Sequence, residues 1–128
     1  MRSHRSVLVV AFACAVLAVV AARASNLAVV GSKAPPLTLT ALADGKGVTL
    51  KDLEDRAGVI EFWATWCPPC RKSIPHLIEV RNKYPEDKLA ILGITDEDAV
   101  TVKPFADQMK MNYAIMLDVG GKAGQDYG

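Results

Sequence analysis

Two cysteines, Cys67 and Cys70, close the run Glu61-Phe-Trp-Ala-Thr-Trp-Cys-Pro-Pro-Cys70. A C-x-x-C pair can exchange thiol for disulfide, provided one sulfur is presented as a thiolate. An ordinary cysteine thiol, with a pKa near ~8.5, is mostly protonated at neutral pH. The residues around the pair supply the remedy. Pro68 and Pro69 suit the first two positions of a helix, which makes Cys67 its N-cap. An N-cap side chain accepts from the N–H two or three residues on. Pro69 has no N–H, so the Cys70 N–H is the expected donor to the Cys67 sulfur. The positive end of the helix dipole and Arg71 in the first turn favour the thiolate too. Cys70, inside that turn, is better shielded and well spaced to attack a mixed disulfide at Cys67.

Three other uses of the pair fit less well. A zinc site needs two further ligands, and beyond residue 24 the chain offers no third cysteine and only His76. A purely structural disulfide closing so small a loop is a weak staple. A Cu(I) carrier would use the soft thiolates, but no Met or His stands beside them. The expectation is no metal and no cofactor other than the Cys67–Cys70 disulfide itself.

The elements that must position this pair follow from apolar patterning. Leu37–Thr40 alternates as a short strand. Asp44-Gly-Lys-Gly47 signals a turn, and Val48–Leu50 can pair back as a hairpin. Lys51–Arg56 suits one helical turn. Val59–Ala64 is the most β-branched and aromatic run, expected as a strand buried on both faces. Pro68–Tyr84 reads as a helix with Ile74, Leu77, Ile78 and Tyr84 on or near one face. Leu89–Thr95 is a second apolar strand. Val100–Met111 reads as a helix with Pro104 in its first turn, and Tyr113–Leu117 as a third strand. Gly120-Gly121 opens a last turn or short helix. Strand, helix, strand, helix, strand implies parallel crossovers and an α/β class, in which sites sit at the carboxyl ends of strands.

The 128 residues carry 15 Lys and Arg against 14 Asp and Glu. This balance excludes a strongly basic nucleic-acid module, and the length supports one domain. Residues 1–24 hold Arg2, Arg5 and Arg23 and no acid, so the remainder carries −2. Val7–Ala22 is an uncharged apolar run, and Ala22-Arg-Ala24 supplies small residues where a signal peptidase reads. The layout predicts a signal peptide over residues 1–24, with Cys14 a small apolar member and Ser25 the mature start. An uncleaved anchor is the alternative and would be the only membrane association. Either route places residues 25–128 outside the cytoplasm, in a bacterial periplasm or on the outer face of the membrane, where disulfides persist.

The run from Val59 to Arg71, V-I-E-F-W-A-T-W-C-P-P-C-R, resembles the active site of thioredoxin-fold proteins. The Trp66-Cys-Pro-Pro-Cys70 form and the export signal look most like the TlpA/ResA-like extracytoplasmic thiol–disulfide oxidoreductases. Gly31-Ser-Lys-Ala-Pro35 and Leu50-Lys-Asp-Leu53 are also similar to that family. The resemblance covers Gly31 to Gly128. It implies a thioredoxin-like α/β fold, with a central, mostly parallel sheet flanked by helices. It also implies protein dithiol or disulfide clients and an upstream thiol–disulfide donor.

Carried over residue by residue, the resemblance makes Cys67 the nucleophile and Cys70 the resolving thiol. Trp66 packs beside the pair and shapes a docking surface; it can at the same time be a half-exposed aromatic filling the strand–helix corner. Pro75 matches the kink proline of the active-site helix and forfeits the bond to the Arg71 carbonyl. Glu61 stands where thioredoxins carry a buried acid that deprotonates the resolving cysteine. A carboxylate in an apolar central strand is costly to ionise, which suits that use; reaching an edge or pairing with a lysine is the bland alternative.

Two departures stand out. Ser73 occupies the position of a common family glutamate, which leaves Glu61 as the expected sole acid near the pair. The family also continues past a Tyr-Gly step into a cis-proline loop, a β-hairpin and a last helix, whereas this sequence reaches Tyr127-Gly128. The final hairpin and helix are therefore expected to be missing, with the edge of the Val59–Ala64 strand uncovered. This keeps a non-catalytic binding module as an alternative. A peroxiredoxin is the nearest rival enzyme. Its pattern needs Thr or Ser three residues before the cysteine and Pro four before that; Ala64 and Ile60 stand there.

Overall fold

The computed structural model describes residues 28–128. The expected export segment, with Cys14 and the Ala24–Ser25 step, lies outside the described residues. Among the described residues no helix is long and apolar enough to cross a membrane. They form two units, Pro36–Gln125 and a smaller one in which residues 28–35 meet Asp126–Gly128. In the smaller unit the Ala28 N–H donates to the Asp126 carbonyl and the Tyr127 hydroxyl to that of Pro35. Burial, then the Asp126 charge, pushes the Tyr127 phenol above its ordinary pKa.

The larger unit is built on a five-stranded sheet. Its strands are β1 (Thr38–Ala41), β2 (Gly47–Thr49), β3 (Ala57–Phe62), β4 (Leu89–Thr95) and β5 (Ala114–Leu117). Their order is β2-β1-β5-β4-β3. β3, β4 and β5 run parallel, as the strand–helix alternation predicts, while the β1–β2 hairpin joins β5 antiparallel. The hairpin closes where expected, with Gly45 at φ 73° and the Lys46 N–H on the Asp44 carboxylate. A 3-10 turn (Leu50–Leu53) follows, opened by Asp52 accepting from the Thr49 N–H.

The uncovered edge expected for the Val59–Ala64 strand is present, but the burial expected for it is not. β3 is not buried on both faces. It is an edge strand with exposed or half-buried residues, and β4 is the buried centre. An apolar run of six residues reads the same at the edge or the centre; only the pairing order decides which strand is flanked twice.

Helix α1 (Pro68–Lys83) links β3 to β4, and α2 (Ala99–Met109) links β4 to β5. A short α3 (Lys122–Tyr127) follows β5. The buried cluster Trp63, Ile74 and Val102 joins the end of β3 to both long helices, and Phe105 stacks on Trp63 at 5.6 Å. Of the predicted α1 stripe, Ile74 is buried and Ile78 packs on the cluster. Tyr84 is exposed: it caps the helix in extended conformation and so leaves the stripe. Pro104 is also displaced from expectation. It is the sixth residue of α2, not in its first turn, because Asp98 caps the helix by accepting from the Thr101 N–H. Pro104 lies on the exposed side, where water can take the carbonyl that its missing N–H leaves free.

One position in β4 has no room for a side chain. A Cβ on Gly93 would lie 3.0 Å from both Trp63 Nε1 and Tyr113 Cε2. The two rings therefore rest directly on the central strand.

Candidate active site

Cys67 and Cys70 meet at the carboxyl end of β3, the region an α/β sheet reserves for chemistry. They form a disulfide with Cα atoms 5.3 Å apart. Cys67 is the N-cap of α1, Pro68 and Pro69 open the helix, and the Cys70 N–H donates to Cys67 Sγ at 3.4 Å. This is the donor that the sequence of two prolines singled out. In the dithiol state the same N–H and the helix dipole face the Cys67 sulfur and favour its thiolate. Cys70 packs against the Trp63–Ile74–Val102 cluster.

The loop leading into Cys67 is held at Thr65, which the sequence reading did not single out. Glu97, just beyond β4, accepts from the Thr65 N–H at 2.6 Å and from its hydroxyl at 2.7 Å. Arg71 Nε donates to the Thr65 carbonyl at 2.9 Å, and its guanidinium lies 5.0 Å from the Phe105 ring centre. Arg71 thus ties the first turn of the helix to the loop before it, in addition to its charge near the pair. Trp66 is 74 % exposed. The aromatic that fills the strand–helix corner is Trp63, so the half-filled-corner reading of Trp66 does not hold.

On the other side of the pair, Glu61 occupies β3 and is half-buried. Its Oε1 lies 2.5 Å from Ser73 Oγ, which also reaches the Cys70 carbonyl at 2.9 Å. Its Oε2 accepts from the Tyr113 hydroxyl at 3.3 Å. Burial, then the Glu61 charge, pushes the Tyr113 phenol far above its ordinary pKa, so it remains a donor across the physiological range. The expected central-strand setting of Glu61 is corrected to an edge strand. No described lysine or arginine pairs with it. Glu61 is also not the sole acid close to the active-site loop, since Glu97 grips Thr65. Glu97 was hidden in an acidic turn, Asp96-Glu-Asp98, where nothing in the spacing separates a clamp from a solvated charge.

Pro75 lies within α1 and is exposed; the helix runs through it to Lys83. Among the described residues no group of three or more His, Cys, Asp and Glu gathers to hold a metal ion. A cavity of about 530 Å³ flanks the site, lined by Phe62, Trp63, Thr95, Asp96, Asp118 and the Gly120-Gly121 turn among others.

Comparison with known proteins agrees with this geometry. The AhpC/TSA family model matches residues 30–128. Thiol-disulfide oxidoreductase ResA of Bacillus anthracis is 36% identical over 100 residues, 77% of this chain and 57% of the relative. Among solved structures, a thiol:disulfide interchange protein of the thioredoxin family from Chlorobium tepidum is 28% identical. Its TM-score is 0.62, over 72% of this chain and 65% of that one. A secreted disulfide oxidoreductase of Mycobacterium tuberculosis is 25% identical with a TM-score of 0.63, over 72% and 67%. The fold is thus thioredoxin-like, and the chain spans a little over half the length of the curated relatives it matches.

Proposed function

We propose that this chain, which belongs to the AhpC/TSA family, is an exported thiol–disulfide oxidoreductase that reduces protein disulfides through Cys67 and Cys70. The observation that carries this reading is the Cys67 sulfur at the N-cap of α1, accepting from the Cys70 N–H. That arrangement stabilises a thiolate at the first cysteine and keeps the second within reach.

The steps follow from the residues. Cys67 thiolate attacks a client disulfide; a Cys67–client S–S bond forms, the client S–S bond breaks, and a client thiolate leaves. Cys70 then loses its proton to Glu61 and attacks Cys67 Sγ. The internal disulfide forms, and the second client thiolate departs. An upstream dithiol donor returns the pair to the reduced state. Trp66, exposed beside the pair, offers the docking surface, Pro68 and Pro69 fix the cap, and Pro75 bends the helix. The secreted relative and the apolar N-terminal run support an extracytoplasmic location, with the membrane involved only if that run is retained.

Insulin reduction by the dithiol chain is the test. Cys67→Ser abolishes turnover and captures no client. Cys70→Ser accumulates mixed disulfides through Cys67. Faster alkylation of Cys70 than of Cys67 near neutral pH would reverse the two roles, and absence of insulin reduction would favour a non-catalytic binding module.

A further inference from the structure

The polar chain beside Cys70 contains a mismatch of protons and acceptors. Ser73 has one hydroxyl proton but sits within hydrogen-bond distance of two acceptors, Glu61 Oε1 at 2.5 Å and the Cys70 carbonyl at 2.9 Å. Neither the carbonyl nor an ionised carboxylate can donate back. With Glu61 ionised, Ser73 donates to Oε1 and Tyr113 to Oε2. With a proton on Oε1, that proton is donated to Ser73 Oγ, and the Ser73 hydroxyl turns to the Cys70 carbonyl. Tyr113 keeps its bond in both states. Every donor is used in each arrangement, so the carboxylate can take up and give back a proton without leaving a buried group unpaired.

We propose that Ser73 is a two-position hydroxyl coupling the proton on Glu61 to the Cys70 turn, with Tyr113 as the fixed donor that holds the carboxylate. This rests on the oxidoreductase reading above, and it makes Ser73 and Tyr113 positioning residues rather than groups that touch the sulfur. In the resolution step the proton leaves Cys70 and ends on Glu61; the Ser73 proton only turns and is never transferred. Ser73 faces the carboxylate from α1, with the Cys70 carbonyl on the far side of its hydroxyl, and Tyr113 faces it from the segment before β5. Gly93 is its partner in β4, His76 one turn along α1 is exposed, and no described cation pairs with it.

The experiment follows resolution alone. The reduced chain is mixed with an aromatic disulfide whose thiolate leaves without needing a proton, and release of the second thiolate is timed by absorbance across pH. Wild type gives a rate that rises through an inflection. Ser73→Ala and Tyr113→Phe each remove a donor from the ionised carboxylate, so each moves the inflection upward. Ser73→Thr, which retains a hydroxyl, restores the wild-type profile. A purely structural role would lower melting temperature and leave the inflection in place. Profiles of both Ser73→Ala and Tyr113→Phe that superimpose on wild type overturn the proposal. A wild-type chain that captures the reagent at Cys67 and never releases the second thiolate overturns the oxidoreductase reading as well.

Discussion

On the Cys67 side of the disulfide, Thr65 is gripped at three points by two charged side chains, Glu97 and Arg71. On the Cys70 side, one carboxylate is met by two neutral hydroxyls, Ser73 and Tyr113. The contrast matches the two tasks. A nucleophile at a helix N-cap needs a fixed loop, and charge-assisted bonds are short and stiff. A group that must gain and lose a proton needs partners that tolerate both states, and hydroxyls can donate or accept. On the proposed mechanism, the first cluster sets geometry and the second carries the proton.

The largest expected effect separates the two sides cleanly. Glu61→Gln keeps the shape of the second cluster but cannot take up the Cys70 proton. Resolution should slow on the order of a hundredfold near neutral pH, while the first attack by Cys67, followed by reagent capture, is unchanged. Equal slowing of both steps would mean that Glu61 serves the site as a whole.

Glu97→Ala is the complementary lesion. It leaves the Thr65 N–H and hydroxyl unmatched, at a cost of about 2 kcal/mol. Attack by Cys67 should slow several-fold, with no change in the pH at which resolution turns on. Movement of that inflection would show the two clusters to be coupled through the helix turn.

Gly93→Ala strikes beneath both. Its methyl would press on Trp63 and Tyr113 at 3.0 Å, and overpacking of this kind costs about 1–3 kcal/mol. Chemical melts should report that loss. Because Tyr113 moves with its ring, resolution should be affected more than attack.

The smallest effect is in alkali. The folded-state pKa of Tyr113 is raised above its unfolded value of 10.0, so the folded state resists losing this proton. Its stabilisation is complete below that value and is lost as pH rises beyond it. Denaturant melts should show stability falling from about pH 10 upward, and Tyr113→Phe should remove this part of the fall. An identical alkaline slope in the variant would place the titration elsewhere.

Local rules sufficed for some of this. Cys67 as N-cap and Cys70 N–H as donor to its sulfur were readable because a helix terminus is decided within four residues, and Pro69 eliminates one donor outright. The hairpin about Gly45 and the limits of β4 were legible for the same reason. Glu97, Tyr113 and Gly93 were not. Each acts on a residue 32, 52 or 30 positions away (Thr65, Glu61 and Trp63), and a single sequence carries no trace of those distances.

What the sequence determined by itself, then, is the redox pair, its capped helix and the alternation of strands and helices, because propensity, capping and apolar period act over one or two turns of chain. Only the tertiary structure decided that β4 and not β3 is the buried strand, that Trp63 and not Trp66 fills the corner, and that Ser73 joins Glu61 to the Cys70 carbonyl. Those outcomes depend on which strand pairs on both sides and which rings reach Gly93. Both are fixed by packing between segments far apart in the chain.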